Sequence, residues 1–153
     1  KVCIKTITVQ QPSIIDQAAK LFGSQCIVVE TQAKYRKNFW EVFTENGREK
    51  SNINVKDWLK DIESRGAGEI ILTSVDRDGC MNGFSRDLYK NISDSNSIPI
   101  IASGGAGKNQ HVEEILSHKK IDAVSLSASL HYNKISIKDL KNNLLDNQFD
   151  LRM

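Results

Sequence analysis

Apolar residues in this chain come in short consecutive runs, separated by longer stretches in which they recur every three or four positions. The runs at 2–6, 26–31, 69–75, 98–103 and 123–127 are rich in Val and Ile, which predicts strands of a parallel sheet buried on both faces. The stretches between them carry helical spacing. Pro12-Ser13 opens one, with Ile14, Ile15, Ala18, Ala19 and Phe22 on its apolar face and Gly23 as its stop. Asn54 is placed to cap the next, whose inner stripe is Val55, Trp58, Leu59 and Ile62 before Gly66 ends it. Residues 85–92, 109–118 and 136–145 complete the series.

Strands alternating with amphipathic helices predict an α/β fold with crossover connections, and no linker or low-complexity segment interrupts residues 1–153, so a single domain is expected. Five βα units fall short of a closed eight-stranded barrel, which needs about 200 residues or more. The chain could hold just over half of one. The runs at 1–6 and 123–128 share a pattern, as two halves of a duplicated barrel would. Residues 39–43 and the Asn46-Gly47 turn predict a small hairpin inserted after the second strand, on the side where barrel enzymes do their chemistry.

Composition narrows the class only a little. With 39% hydrophobic and 26% charged residues the chain reads as globular, and a formal charge of +2 gives no electrostatic reason to expect a nucleic-acid partner. The basic cluster Lys34-Tyr35-Arg36-Lys37 reads as a solvated loop. Cys3, Cys26 and Cys80 lack metal-ligand spacing and read as reduced thiols, the first two as small hydrophobes inside apolar runs. No run reaches the length of a membrane span, so a cytoplasmic protein without metal or cofactor is expected. Lys1 rather than Met opens the sequence, which suggests a piece of a longer chain.

Candidate chemistry concentrates where strands run into polar loops. Residues 98–108 read IPIIASGGAGK, a buried strand entering a glycine-rich turn and then a helix. Glycines let backbone N–H groups approach an anion, so this is a phosphate cradle in outline, or a tight turn without a ligand. It is not a Walker A loop, because Gly107-Lys108 is followed by Asn109. Ser125, Ser127 and Ser129 place hydroxyls at the end of the next strand, and residues 130–132 could form the short extra helix of a barrel phosphate site, with His131 as a packing or capping residue. In the run from residue 70 to 79, Asp76 and Asp78 follow a strand; they could contact substrate, or Asp76 could pair with Arg77 while Asp78-Gly79 makes a turn. Glu30 interrupts an apolar run, and Gln32, near that strand's end, can orient a ligand but cannot exchange protons.

Taken together, Phe22-Gly23-Ser24-Gln25, Arg65-Gly66-Ala67-Gly68-Glu69-Ile70, Leu72-Thr73-Ser74-Val75-Asp76-Arg77-Asp78-Gly79 and residues 100–108 resemble the cyclase subunit of imidazole glycerol phosphate synthase. The resemblance covers the whole chain and implies a (βα)8 TIM barrel of which this is the C-terminal portion, strands four to eight. It implies an enzyme of histidine biosynthesis that joins ammonia to a phosphoribulosyl formimino aminoimidazole carboxamide ribonucleotide. The ammonia would come from a glutaminase partner, through the barrel, to a substrate with a phosphate at each end.

By motif, Ser103, Gly104, Gly105, Ser127 and Ala128 form one phosphate site, Thr6 belongs to the other, and Thr73, Ser74, Asp78 and Gly79 line the pocket. Lys1 and Glu69 match gate residues for ammonia, and Gln25 lies near the glutaminase contact. The family uses two catalytic aspartates. One lies on a strand before this chain, and Gln32 stands at the other. Lys5 replaces an Asn before the phosphate-binding Thr, and Ala128 replaces a Ser. Gln32 keeps two further readings open, a divergent paralogue amidating a sugar nucleotide for surface polysaccharide, and a phosphate-binding piece without turnover. This chain alone is expected to be inactive and, with two open sheet edges, to self-associate.

Overall fold

The computed structural model describes residues 1–90, 92 and 96–151. Strands β1 (Val2–Ile4), β2 (Ile27–Arg36), β3 (Phe39–Thr44), β4 (Glu49–Asn54), β5 (Glu69–Ser74), β6 (Ile100–Ser103) and β7 (Ala123–Ser125) join one sheet. Its order is β4-β3-β2-β5-β6-β7, with β1 also against β2. The pairs β1–β2, β2–β5, β5–β6 and β6–β7 are parallel, while β2–β3 and β3–β4 are antiparallel. Strand β2 is long enough to serve two partners in succession: Ile27 to Val29 pair with β1, and Gln32 to Arg36 pair with β3.

Helices α1 (Thr6–Gln10), α2 (Ser13–Phe22), α3 (Val55–Ser64), α4 (Arg86–Lys90), α5 (Asn109–Leu116), α6 (Ala128–His131) and α7 (Ile137–Asp146) fill the connections. In α3 the capping Asn54 accepts a hydrogen bond from the Lys56 amide at 2.9 Å, satisfying a donor that the first turn leaves free. Val55, Trp58, Leu59 and Ile62 are all buried, and Trp58 Nε1 donates to Thr31 Oγ1 at 3.1 Å, tying the helix to β2. Gly66 takes φ +96, the left-handed conformation that closes the helix one residue after Arg65.

The strands are not buried equally on both faces, as their consecutive apolar residues had suggested. Alternation puts Val29, Thr31, Ala33, Ile70, Leu72, Ile100 and Ala102 on one face, all at 2% exposure or less and covered by helices. The opposite face carries Lys1, Cys3, Lys5, Glu30, Gln32, Lys34, Glu69, Thr73, Ser103 and Ser125. This is the one-sided covering of successive βα units in a (βα)8 barrel, whose second face turns inward. Cys3 is correspondingly exposed on the open face, not a core residue, and Cys26 is half-buried in a 3-10 turn before β2.

Other boundaries differ for local reasons. The first strand ends at Ile4, because Lys5 leaves extended geometry and Thr6 opens α1, a helix the pattern did not predict. The basic cluster at 34–37 is mostly strand: Lys34, Tyr35 and Arg36 belong to β2, and the chain turns at Lys37 and Asn38, both left-handed. Two left-handed central residues form a tight hairpin turn, usually announced by Asn-Gly, and Lys-Asn gave no such signal. Strands β2, β5, β6 and β7 each differ at one end or both from their expected spans, and Asn91 of the expected 85–92 helix lies outside the described residues. Phe22, expected on the apolar face of α2, is 63% exposed. It borders an open groove with Val2, Ile4, Ala18 and Leu21 beside the β1 edge. A second apolar groove, with Leu126, Leu130, Leu140 and Leu144, lies beside the β7 edge.

Candidate functional site

The register sets Gln32 opposite Thr73, Thr73 opposite Ser103, and Ser103 opposite Ser125. These four polar side chains form one row across the open face, at the middle of the long β2 and near the C-terminal ends of β5, β6 and β7. Gln32 is 6% exposed, and its Oε1 has no hydrogen-bond partner among the described residues. Ser74 does not join the row. It points to the helix-covered face, is fully buried, and its hydroxyl is unpartnered among the described residues.

Beyond the row, three loops far apart in sequence line one small polar cleft: Asp78 and Gly79, then Ser103, Gly104 and Gly105, then Ser127 and Ala128. Ser125 and Met81 line it as well; Ser125 was noted only for its hydroxyl and not assigned to the phosphate site, and Met81 was not noted. Serine at 125 carried a signal, the hydroxyl spacing of the last strand, whereas Met81 carried none. The glycines have a packing reason to be there. Gly104 and Gly105 take φ +87 and +114, and a Cβ on Gly105 would stand 2.3 Å from the Gly83 carbonyl oxygen. A Cβ on Gly107 would stand 2.1 Å from the Met81 carbonyl oxygen. Gly83 N–H donates to the Gly105 carbonyl at 2.8 Å, so two loops stack backbone on backbone. Gly79, also left-handed, has open space where its Cβ would be.

Two side chains brace this cleft from behind. The Tyr89 hydroxyl donates to the Leu72 carbonyl at 2.9 Å and accepts from the Ser103 amide at 3.1 Å, bridging β5 and β6 just below the glycine turn. Burial pushes its phenol far above the usual range, so it stays protonated. His111 Nδ1 accepts from the Gly107 amide at 3.1 Å. Burial, then the Lys108 charge, lowers the imidazole pKa, while Glu114 opposes them.

At the other end of the open face, Lys5 Nζ lies 3.1 Å from Glu30 Oε1 and donates to Asn46 Oδ1 at 3.0 Å. The Glu45 amide donates to Thr6 Oγ1 at 3.4 Å. The inserted turn therefore folds over the predicted Thr6 site. Thr6 is four strand steps from the Ser127 cleft along β1-β2-β5-β6-β7, so the structure does not bring the two predicted phosphate positions together. Asp76 faces Lys34 at 3.8 Å in place of the local Arg77 pairing, and Arg77 instead donates to Asn82 at 3.0 Å.

At the N-terminal ends of the strands, Lys1 pairs with Glu69, which brings these two predicted residues together. Gln25 is exposed in the 3-10 turn nearby, its side chain lying over Gly23. Among the described residues no group of three or more His, Cys, Asp or Glu could hold a metal ion, and no helix is long and apolar enough to cross a membrane.

A family model described as a histidine biosynthesis protein matches residues 1–136. The chain belongs to the histidine biosynthesis protein family. It is 40% identical over 157 residues to imidazole glycerol phosphate synthase subunit HisF of Trichormus variabilis, covering 100% of this chain and 61% of that protein. The subunit of the same name from Prochlorococcus marinus is 42% identical over 155 residues, covering 99% and 60%. That from Nostoc sp. is 39% identical, covering 100% and 61%. The chain thus spans about three fifths of the length of the curated relatives it matches. For a histidine biosynthesis protein, the one-sided parallel sheet is part of a (βα)8 barrel, with the cleft at its C-terminal face.

Proposed function

We propose that this chain supplies the C-terminal portion of an ammonia-dependent cyclase of the imidazole glycerol phosphate synthase type. The observation that carries the reading is the meeting of Asp78-Gly79, Ser103-Gly104-Gly105 and Ser127-Ala128 around one polar cleft beside the row of Gln32, Thr73, Ser103 and Ser125. The cleft would seat one phosphate of a substrate that carries two, and Thr6 would belong to the seat of the other. Main-chain donors do the holding there, so Ala128 in place of Ser removes only a hydroxyl. Asp78, at the lip, would contact substrate hydroxyls. Ammonia from a glutaminase partner would enter past Lys1 and Glu69 at the opposite face, with Gln25 near the partner. A cytoplasmic protein would follow from this reading, and alone the chain would associate through its open edges and the two apolar grooves beside them.

Gln32 sets the rate. It occupies the place where the relatives' resemblance puts a proton-transferring carboxylate, and an amide can only orient substrate. The test is ammonia-dependent turnover of the phosphoribulosyl formimino substrate by the full-length protein, before and after Gln32→Asp. We expect slow turnover that rises on the order of 100-fold or more in the variant. Absence of turnover in both would end this reading. It would then favour the second one, an amidating paralogue with another substrate, which an amide at Gln32 in place of a carboxylate supports.

A further inference from the structure

Where the glycine turn leaves the sheet, a tyrosine hydroxyl sits at the end of the β5–β6 ladder. The register pairs Leu72 with Ala102 and Thr73 with Ser103. Ser103 ends β6, and the two residues after it are left-handed glycines. Tyr89 reaches this point from α4, fully buried. Its hydroxyl lies 3.1 Å from the Ser103 amide nitrogen, 2.9 Å from the Leu72 carbonyl oxygen and 3.2 Å from the Ser103 carbonyl oxygen. A phenol has one proton to donate and lone pairs with which to accept. It therefore accepts from Ser103 and donates to one of the two carbonyls, fastening the last residue of β6 to β5.

Tyr89 is not among the residues that line the cleft, whereas Ser103 and Gly104 are. Any effect of the tyrosine on a ligand passes through their backbone. The Ser103–Gly104 peptide is trans, so its C=O and N–H point in opposite directions. A carbonyl held beside Tyr89 turns the Gly104 N–H away from it. Further along, the turn has two more anchors, Gly83 N–H on the Gly105 carbonyl and Gly107 N–H on His111 Nδ1. Gly83 and Tyr89 both belong to the connection after β5, which also brings Asp78 and Gly79 to the cleft. One connection thus supplies one wall of the cleft and fixes the next. We infer that Tyr89 is a positioning residue for phosphate, its hydroxyl holding the Ser103–Gly104 peptide in the orientation that presents the turn to the anion. The inference rests on the proposed function, in which this cleft seats a phosphate.

The test is a titration of the 15N-labelled full-length protein with inorganic phosphate, read at the Gly104, Gly105 and Ser127 amides. Tyr89→Phe keeps the ring and removes only the bridging oxygen. It should weaken phosphate about ten-fold and quicken exchange of the Ser103 amide. In turnover it should raise KM by a similar factor with kcat within about two-fold, since the hydroxyl serves binding in the ground and transition states alike. Leu88→Val is the control for stability alone. It disturbs the same helix at a buried position without a hydrogen bond, and should lower Tm while phosphate binds as in the parent. The inference is overturned, with the proposed function intact, if Tyr89→Phe binds phosphate as tightly as the parent. It is overturned equally if Leu88→Val weakens phosphate as much as Tyr89→Phe does, or if kcat falls with KM unchanged. Amides that ignore phosphate in the parent itself count against the proposed function and take the inference with it.

Discussion

At the β6–β7 end of the open face the cleft is walled largely by backbone, whereas at the β1 end the polar groups are side chains on three different segments. The first end depends on glycines that let two loops touch, with Gly105 against Gly83 and Gly107 against Met81. The second depends on Lys5, Glu30, Thr6 and Asn46, linked to one another by charge and hydrogen bonds. The difference decides how each end tolerates change. A backbone wall has no rotamers with which to absorb a new atom, while a side-chain cluster can rearrange.

The largest expected effect therefore comes from Gly105→Ala. The residue sits at φ +114, where a side chain is strained, and its new Cβ would press on the Gly83 carbonyl oxygen, which is backbone and has no rotamer to change. We expect a loss of about 3 kcal/mol, roughly 10 °C in Tm, and disappearance of phosphate binding at the cleft. Thermal unfolding and phosphate titration read both. Retention of parental stability would mean that the two loops are not locked together. Gly47→Ala is the matching change at the other end. Its Cβ would meet the Val75 side chain, not backbone, so a shift of one branched side chain relieves most of the clash and the φ of +80 remains unfavourable. A smaller loss, about 1 kcal/mol, is expected. If Gly47→Ala proves as damaging as Gly105→Ala, the contrast between a backbone wall and a side-chain cluster is wrong.

The same contrast explains what could be read in the sequence. Glycine runs, the Asn54 cap and the Val55-Trp58-Leu59-Ile62 stripe are local signals, since residues within one turn of one another dictate them, and each appeared in the structure where the pattern put it. The cleft was legible because its three loops each carry their own motif. Asn46 was visible only as a turn residue, since its contact with Lys5 spans the sheet and leaves no mark on its neighbours. Tyr89 was read as part of a helix, and nothing around it announced a hydroxyl bridging β5 and β6. Consecutive Val and Ile in the strands hid the difference between the two faces: Ile71 and Ile101 are apolar residues on the open side, where a complete barrel would surround them. Lys37 and Asn38 turned a strand back on itself without the usual glycine.

The smallest expected effect separates the two ends by pH. His111 supports the glycine end only as a neutral imidazole, because Nδ1 must accept the Gly107 N–H. Its pKa in the folded chain lies below the ordinary value of about 6.5, through burial first and the Lys108 charge second. A depressed pKa means that the folded state binds this proton less readily than the unfolded one. The support is therefore complete above about pH 6.5 and is lost as the pH falls through the lower folded value. Among the described residues no histidine hydrogen-bonds to the Lys5 end, so its amides should not follow that titration. Amide exchange at Gly107, followed from about pH 8 to pH 5, is expected to speed up on the acid side beyond the intrinsic trend, with Thr6 as the internal control. His111→Asn keeps an acceptor without a titrating ring and should remove the acid limb. An unchanged limb in that variant would show that the glycine turn loosens for a reason other than this imidazole.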